Sequence, residues 1–149
     1  MSDYSRRDFV KAAAAAGAGL TLAVYVQGCS DGAPPVAEGD LAPNAFLRIA
    51  PDGNVTVIIG RSEMGQGAST GLAMIIAEEL DVDWSRVRFV QAPAAKAYYI
   101  ALPTSLFPLQ ITGASTSVRN SWVPMRQAGA TARAMLVAAA AARWGVPAA

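Results

Sequence analysis

Residues 60–70, with the sequence GRSEMGQGAST, constrain the fold more than any other segment. They place Gly60, Gly65 and Gly67 between a run of β-branched residues and a helical pattern. Glycine adopts backbone conformations that are closed to residues with a Cβ, and it lets N–H groups approach a ligand closely. A helix that begins directly afterwards adds partial positive charge and unpaired donors. The segment therefore predicts a turn that could seat a phosphate or the edge of a pterin-like ring.

The residues of this turn, taken alone, leave its role open. The spacing is not that of a dinucleotide-binding GxGxxG motif, and the lysine of a phosphate-binding P-loop is missing. Gln66 offers an amide donor and acceptor, while Ser69 and Thr70 offer hydroxyl groups. The same pattern is also that of a turn whose glycines only satisfy backbone geometry.

The segments around the turn predict a mixed α+β fold with a βαβ unit. FLRIA and NVTVIIG are short β-branched runs separated by PDGN, in which Pro51 and Gly53 suit a hairpin turn. After the turn, apolar residues recur at helical spacing, and Ser69 or Thr70 is expected to cap the first helical turn. The apolar positions are Leu72, Ile75, Ile76 and Leu80. RVRFVQA then predicts the next strand.

The second half predicts a long loop and a C-terminal helix. Residues 93–117 contain three prolines and no dependable period, and a loop of this length in a compact domain is usually functional or wraps a partner. From Val118 the pattern is helical, with Pro124 expected to start or kink the helix. An apolar stripe should pack against another element; it consists of Met125, Ala128, Ala132, Met135, Leu136 and Ala139. The tryptophans Trp84, Trp122 and Trp144 are expected to fill hydrophobic packing sites.

The N-terminus predicts export from the cytoplasm. Arg6 and Arg7 in SRRDFVK precede a weakly hydrophobic, alanine-rich run, which resembles a twin-arginine signal. We interpret residues 1–29 as this signal, 30–45 as a Gly- and Pro-rich linker, and 46–149 as the folded part. Cys29 is either lipidated or lies near a simple cleavage site, or the signal is retained as a membrane anchor. The expected location is the periplasm, with a membrane tether through the signal or Cys29.

Composition excludes several kinds of chemistry. Of the 149 residues, 12 are Lys or Arg and 11 are Asp or Glu, so the net charge of +1 provides no footprint for nucleic acid. Histidine is absent and Cys29 is the single cysteine, which removes histidine catalysis, histidine metal sites and internal disulfides. Any chemistry must therefore come from a cofactor, a partner or carboxylates.

Several blocks of the chain together resemble a known family. The segment SEMGQGASTGLAMIIAEELDVDWSRVRFVQAP, with PDGNVTV, ITGASTSVR and AGATARAMLVAAAAARWGVP, is similar to the molybdopterin-binding subunit of the xanthine dehydrogenase and aldehyde oxidase family. The type it resembles most is the β chain of exported aldehyde dehydrogenases and isoquinoline 1-oxidoreductases. The resemblance covers residues 46–147. It implies that this chain is the N-terminal part of such a subunit and an incomplete molybdopterin-binding domain.

The resemblance implies contacts to molybdopterin cytosine dinucleotide in two places. The family's GQG loop corresponds to Gly65, Gln66 and Gly67, with Thr70 as a supporting hydroxyl. A second block, TGGS in the family, corresponds to residues 112–115. Here an alanine replaces its second glycine, and Ser115 and Thr116 are the expected contacts.

The resemblance also implies an activity and partners. The family oxidises aldehydes or N-heterocycles with oxygen derived from water at a molybdenum centre, so the protein supplies positioning and electrostatics. Its catalytic glutamate lies in sequence that this chain does not contain, and Glu63 is interpreted instead as a carboxylate that caps nearby N–H groups. The expected partners are the remainder of the subunit, a 2Fe–2S subunit and a c-type cytochrome. Alone, the chain is expected to be inactive.

Two other classes of function are compatible with parts of the sequence. One is a small exported binding or scaffold module with a related fold and no molybdenum. The other is a free-standing dinucleotide-binding protein, which is disfavoured because the acidic ribose-binding residue of a Rossmann fold is missing.

Overall fold

The computed structural model describes residues 36–100 and 106–148, which form one sheet and two α-helices. The strands are β1 Leu41–Asn44, β2 Leu47–Ile49, β3 Val55–Ile59 and β4 Val87–Gln91. The helices are α1 Ala68–Leu80 and α2 Ser117–Trp144. The predicted α+β fold is confirmed. The predicted twin-arginine signal, Cys29 and part of the predicted linker lie outside the described residues.

The sheet has the order β1-β2-β3-β4. β1, β2 and β3 pair antiparallel, whereas β4 is parallel to β3. The predicted hairpin joins β2 to β3, and Gly53 in its turn has a φ of 83°. The turn is closed by a hydrogen bond of 2.9 Å that Gly53 N donates to Ala50 O. The predicted hairpin is confirmed.

β1 lies inside the segment that the sequence predicts to be a linker. Asn44 at its end makes two bonds that fix the strand in place. Its Nδ2 donates to Ala128 O in α2 at 3.2 Å, and its Oδ1 accepts from Phe46 N at 2.9 Å. The sheet therefore includes Leu41–Asn44 in addition to the predicted hairpin.

Helix α1 connects the parallel strands β3 and β4 and completes the predicted βαβ unit. Leu72, Ile76 and Leu80 are buried in the main core, as the spacing predicted, and Ile75 is partly buried against it. Glu78 is exposed on the outer side of the helix. The predicted cap is wrong. The N-cap residue is Gly67, which has no side chain that could accept a hydrogen bond. Ser69 and Thr70 instead lie within the first helical turn.

Helix α2 packs across α1 with only the first part of its apolar stripe. Met125, Ala128 and Ala132 are buried, and Gly129 lies so close to α1 that an added Cβ would be 2.9 Å from Ile76 O. The helix begins at Ser117 and includes Pro124 in its interior. The remaining stripe residues Met135, Leu136 and Ala139 are exposed. The stripe therefore packs as predicted only over its first half.

The tryptophan prediction is wrong. Trp84 and Trp122 are each 46% exposed, and Trp144 is 73% exposed. None of the three belongs to the main core, whose buried residues are aliphatic within the part of the chain that the structure describes. Within residues 36–100 and 106–148, neither helix combines the length and apolarity needed to cross a membrane.

Tyr98 anchors a second, smaller core on the other face of the sheet. It packs with Ile58, Ala92 and Ala95, and its ring meets that of Phe46 edge-on at a centroid distance of 5.8 Å. The Tyr98 hydroxyl donates a 2.9 Å hydrogen bond to Ala45 O, and burial raises its pKa. Tyr98 is thus a core residue, and this cluster supports the loop that follows β4.

Candidate functional site

The glycine turn, defined as residues 60–67, links the end of β3 to the start of α1. Gly65 and Gly67 have φ values of 88° and 75°, which side chains with a Cβ rarely adopt. A Cβ at either position would meet nothing within 4 Å. Backbone conformation, rather than crowding, therefore requires glycine here, and the outer side of the turn is open.

Glu63 holds the inner side of this turn. Its Oε1 accepts hydrogen bonds from Gly65 N at 2.8 Å and Gly67 N at 2.9 Å, and its Oε2 accepts from Ser69 N at 2.9 Å. These bonds, led by the one from Ser69, hold the pKa of the Glu63 carboxyl below its ordinary value. The interpretation of Glu63 as a capping carboxylate is confirmed. The amides of Gly65, Gly67 and Ser69 are therefore bonded within the chain and do not point freely toward the outer side of the turn.

Gln66 also folds back on the turn. Its Nε2 donates to Ser62 O at 2.9 Å, and its Oε1 accepts from Met64 N. Both polar ends of the amide are thereby oriented by main chain. The exposed side chain is therefore pre-organised, and pre-organisation lowers the entropic cost of binding a ligand.

Arg61 fixes the base of the turn. Only 4% of it is exposed, and its Nη1 donates to Gly60 O at 2.8 Å and to Tyr98 O at 2.9 Å. Burial lowers its pKa, and its Nε has no hydrogen-bond partner. Gly60 meets Tyr98 directly, since a Cβ at Gly60 would lie 2.8 Å from Tyr98 Cβ. The turn is therefore fastened to the second core.

The second motif block reaches the turn through Thr112. Ser62 N donates to Thr112 Oγ1 at 2.8 Å. Beyond it, Ala114 and Ser115 have φ values of 51° and 52°, so the chain is left-handed at both residues. Thr116 is 1% exposed and its hydroxyl donates to Gly113 O at 2.7 Å, which closes this bend.

A cavity of about 450 Å³ lies between the turn and the second block. This volume is within the roughly 300–1,000 Å³ range of small-molecule sites. None of the described residues that line it is ionisable. They are Gly60, Ser62, Met64, Gln91, Ala94, Gln110, Ile111 and Thr112.

The glutamines of this cavity are held by main chain. Gln110 accepts from Ala95 N at 3.0 Å and donates to Pro93 O at 3.1 Å, and Gln91 Nε2 donates to Ile59 O at 3.0 Å. The cavity therefore has a neutral, hydrogen-bonding wall with defined orientation. Its position beyond the carboxyl ends of the parallel strands β3 and β4 is the usual one for ligands of such sheets.

The predicted site residues divide into two groups. Gly65, Gln66, Gly67, Thr70 and Ser115 are exposed, and their roles as contacts stay predictions. Thr116, the remaining predicted contact, is buried in the bend described above.

Sequence reasoning missed Gln91 and Gln110 as wall residues. Gln91 carried a signal, because it ends a strand parallel to the one that leads into the turn. Gln110 lies in a loop without a period and carried none. Among the residues that the structure describes, no group of three or more His, Cys, Asp or Glu side chains is placed to bind a metal ion.

Comparisons with known proteins agree on one family. The model of the molybdopterin cofactor-binding domain family matches residues 1–149. The chain is 42% identical over 127 residues to the beta chain of isoquinoline 1-oxidoreductase from Brevundimonas diminuta, covering 78% of the chain and 16% of that protein. It is 41% identical over 100 residues to a membrane-bound aldehyde dehydrogenase (pyrroloquinoline-quinone) of Gluconacetobacter polyoxogenes, covering 67% and 12%. It is 38% identical over 115 residues to a nicotinate dehydrogenase subunit of Pseudomonas putida, covering 76% and 9%. The chain thus spans less than a fifth of the length of each of these relatives.

Proposed function

This chain belongs to the molybdopterin cofactor-binding domain family, and on that premise we propose that its glycine turn and the adjoining cavity hold part of the molybdenum cofactor. The observation that carries the proposal is the bond between Ser62 N and Thr112 Oγ1, which joins the two motif blocks at the rim of one cavity. The cytosine dinucleotide form of the cofactor is part of this proposal.

The cavity fits an uncharged, hydrogen-bonding ring system. Its wall presents hydroxyl and amide side chains held at fixed positions, and a pterin carries donors and acceptors along its edges. The open side of Gly65 and Gly67 allows a flat group to approach the main chain without meeting a side chain. We assign further direct contacts to exposed residues that lie outside the lining of the cavity, on the turn, on the first turn of α1 and in the second motif block: Gly65, Gln66, Gly67, Thr70 and Ser115. Thr116 is assigned a supporting role, because it is buried and holds the bend at Gly113.

The chemistry of the proposed site would come from the cofactor. When bound, the molybdenum centre supplies oxidative hydroxylation of an aldehyde or an N-heterocycle with oxygen from water. The residues of this chain bind and orient the group. Glu63 is not assigned as a catalytic base, because its two carboxylate oxygens are bonded to three amides. The proposed activity therefore requires sequence beyond this chain, and we propose that the chain alone is inactive.

The partners proposed are the remainder of the molybdopterin subunit, a 2Fe–2S subunit and a c-type cytochrome. Two of the similar proteins are themselves named as subunits of larger oxidoreductases. An apolar surface supports a partner for this chain. A groove of about 530 Å³, here called the C-terminal groove, lies along the second half of α2. Its large apolar residues are Leu80, Leu136, Val137, Trp144 and Val146.

We propose a periplasmic location, reached by the twin-arginine route. The paired Arg6 and Arg7 support it, and export of folded proteins suits a domain that receives its cofactor before transport. The test is a fusion of residues 1–45 to a reporter that is active only after folded export. Replacement of both arginines by lysine should abolish reporter activity in the periplasm. Unchanged activity would contradict the proposal.

The main test uses the native assembly. The tagged chain is purified from cells under mild conditions with its bound proteins, and molybdenum and released cytidine monophosphate are measured against protein. The expected result is both in equal amounts, with a marked loss of both in a Gly67→Val variant. A matched Gly71→Val variant alters a helical glycine outside the turn, so it controls for the effect of a bulky side chain.

A scaffold module without molybdenum is the second candidate. The observation that favours it is the internal pairing of the turn, in which Glu63 and Gln66 already bond the surrounding main chain. An assembly that contains this chain and no molybdenum would support the scaffold candidate and overturn the first proposal.

A further inference from the structure

The carboxylate of Glu63 occupies the place at which a helix amino end would otherwise receive an anion. We propose that Glu63 is a specificity-determining residue that closes the glycine turn to phosphate groups and leaves it selective for uncharged, hydrogen-bonding ligands. This deepens the proposed function and rests on it for the identity of the ligand. It places the phosphates of a dinucleotide cofactor away from the start of α1.

The hydrogen bonds of Glu63 carry the first step. A phosphate at the start of α1 would need the N–H groups of the first helical turn, because those groups have no partner within the helix. The amides of Gly67 and Ser69 at this end are bonded to Glu63, and so is the amide of Gly65 in the turn before it. All three lie at 2.8–2.9 Å from carboxylate oxygens. A phosphate could bind them only after Glu63 had left.

The negative charge of Glu63 also disfavours phosphate at the start of α1. The partial positive charge at the start of α1 is already offset by an ionised carboxylate of the same chain. Because its pKa is lowered by these amides, Glu63 stays ionised at neutral pH. An approaching phosphate therefore meets a negative charge.

The described residues around the turn also offer no charge that would attract a phosphate. The cavity beside the turn has no ionisable side chain in its described lining, so it offers no charge to attract a phosphate. The nearest cation in sequence is Arg61, whose Nη1 is bonded to the carbonyls of Gly60 and Tyr98. The glutamine and hydroxyl groups of the wall suit an uncharged ligand instead.

The test is a titration of the full ¹⁵N-labelled chain with pyrophosphate, followed at the amide resonances of Gly65, Gly67 and Ser69. In the wild-type chain we expect no saturable shift at these amides. In Glu63→Ala, the freed amides should show a saturable shift with pyrophosphate, because removing a full charge at a helix terminus raises the affinity for an anion by about tenfold. Glu78→Ala, on the exposed side of α1, is the control and should behave like the wild type.

A second variant keeps the test decisive if Glu63→Ala disturbs the turn. Glu63→Gln has the same size and can still accept hydrogen bonds, but it carries no charge. It should show saturable shifts that the wild type lacks. Saturable binding of pyrophosphate to the three amides in the wild type would overturn the inference, and so would its absence from both Glu63 variants while their spectra remain folded. Neither result depends on the molybdenum content that tests the proposed function.

Discussion

Ser62 and Thr112 are 50 residues apart in sequence, and the Ser62 amide donates a hydrogen bond of 2.8 Å to the Thr112 hydroxyl oxygen. This bond ties the glycine turn to the second motif block. Both residues line the 450 Å³ cavity. The two blocks of the family pattern are therefore neighbours in space and line the same cavity.

The first prediction concerns this bond. Thr112→Val keeps the shape of the side chain but removes the acceptor, and it should lower the free energy of unfolding by about 0.5–1.5 kcal/mol. Thr112→Ser retains the hydroxyl and is the matched control, with a smaller loss. Urea denaturation measures both. The Ser62 amide should exchange its hydrogen faster in Thr112→Val than in Thr112→Ser, because only the valine variant loses the acceptor. Equal exchange rates in the two variants would contradict this prediction.

The second prediction concerns pH and Glu63. The amides that bind the carboxylate lower its pKa in the folded chain, so ionised Glu63 contributes stability that is fully present above its ordinary value of 4.5. That contribution is lost as the pH falls through the lower, folded-state pKa. At neutral pH, the Ser69 amide should therefore be better protected from hydrogen exchange in the wild type than in Glu63→Gln. The difference between the two proteins should shrink in acid.

Asp83 provides the control for this pH experiment. Its carboxylate accepts from Ser85 N at 2.8 Å, and that bond likewise lowers its pKa. Asp83→Asn should alter the acid dependence of overall stability while leaving the protection of Ser69 unchanged. A change at Ser69 in this variant would show that the effect is not local to the turn.

The third prediction concerns the contact between the helices. Gly129→Ala should destabilise the fold by about 1–2 kcal/mol, because overpacking outweighs the gain in helix propensity. The added Cβ would be 2.9 Å from Ile76 O, a backbone atom that cannot rotate away. Gly71→Ala in α1 is the control. It meets nothing within 4 Å and should stabilise the fold by about 0.5–1 kcal/mol. Urea denaturation should show changes in the free energy of unfolding with opposite signs for the two variants. A stabilised Gly129→Ala would contradict the close approach of Gly129 to Ile76.

Local patterns predicted most of the fold because each rests on neighbouring residues. The hairpin followed from Pro51 and Gly53 in its turn, and the capping role of Glu63 followed from a carboxylate placed before glycines at a helix start. The bond from Ser62 to Thr112 could not be predicted, since it depends on how the chain returns after β4 and the long loop. The strand β1 was missed for a similar reason, because Asn44 is held by Ala128 in the distant helix α2.

Burial was harder to predict than secondary structure. The stripe on α2 gave the correct face of the helix, but a period shows which residues share a face and not how far a neighbour extends along it. Helix α1 covers the stripe from Met125 to Ala132 and leaves Met135 and Leu136 exposed. The exposed tryptophans have the same explanation. The sequence predicted apolar packing for Trp144, but it is 73% exposed and lines the C-terminal groove.

The last prediction follows from that groove. Leu136 is 41% exposed and Trp144 is 73% exposed, and both line the same 530 Å³ space. Exposed apolar patches of this kind commonly mark interaction sites. If the remainder of the subunit covers the groove, Trp144→Ser should weaken its assembly with this chain by about 2 kcal/mol or more, the cost of losing a central aromatic contact. The free energy of unfolding of the chain itself should change by less than about 0.5 kcal/mol, as for other surface substitutions.

Trp84→Ser removes an equally apolar ring that lies outside the groove and is the control. Co-purification of the remainder measures assembly, and an undiminished yield with Trp144→Ser, equal to that with Trp84→Ser, would show that another surface of the chain forms the contact.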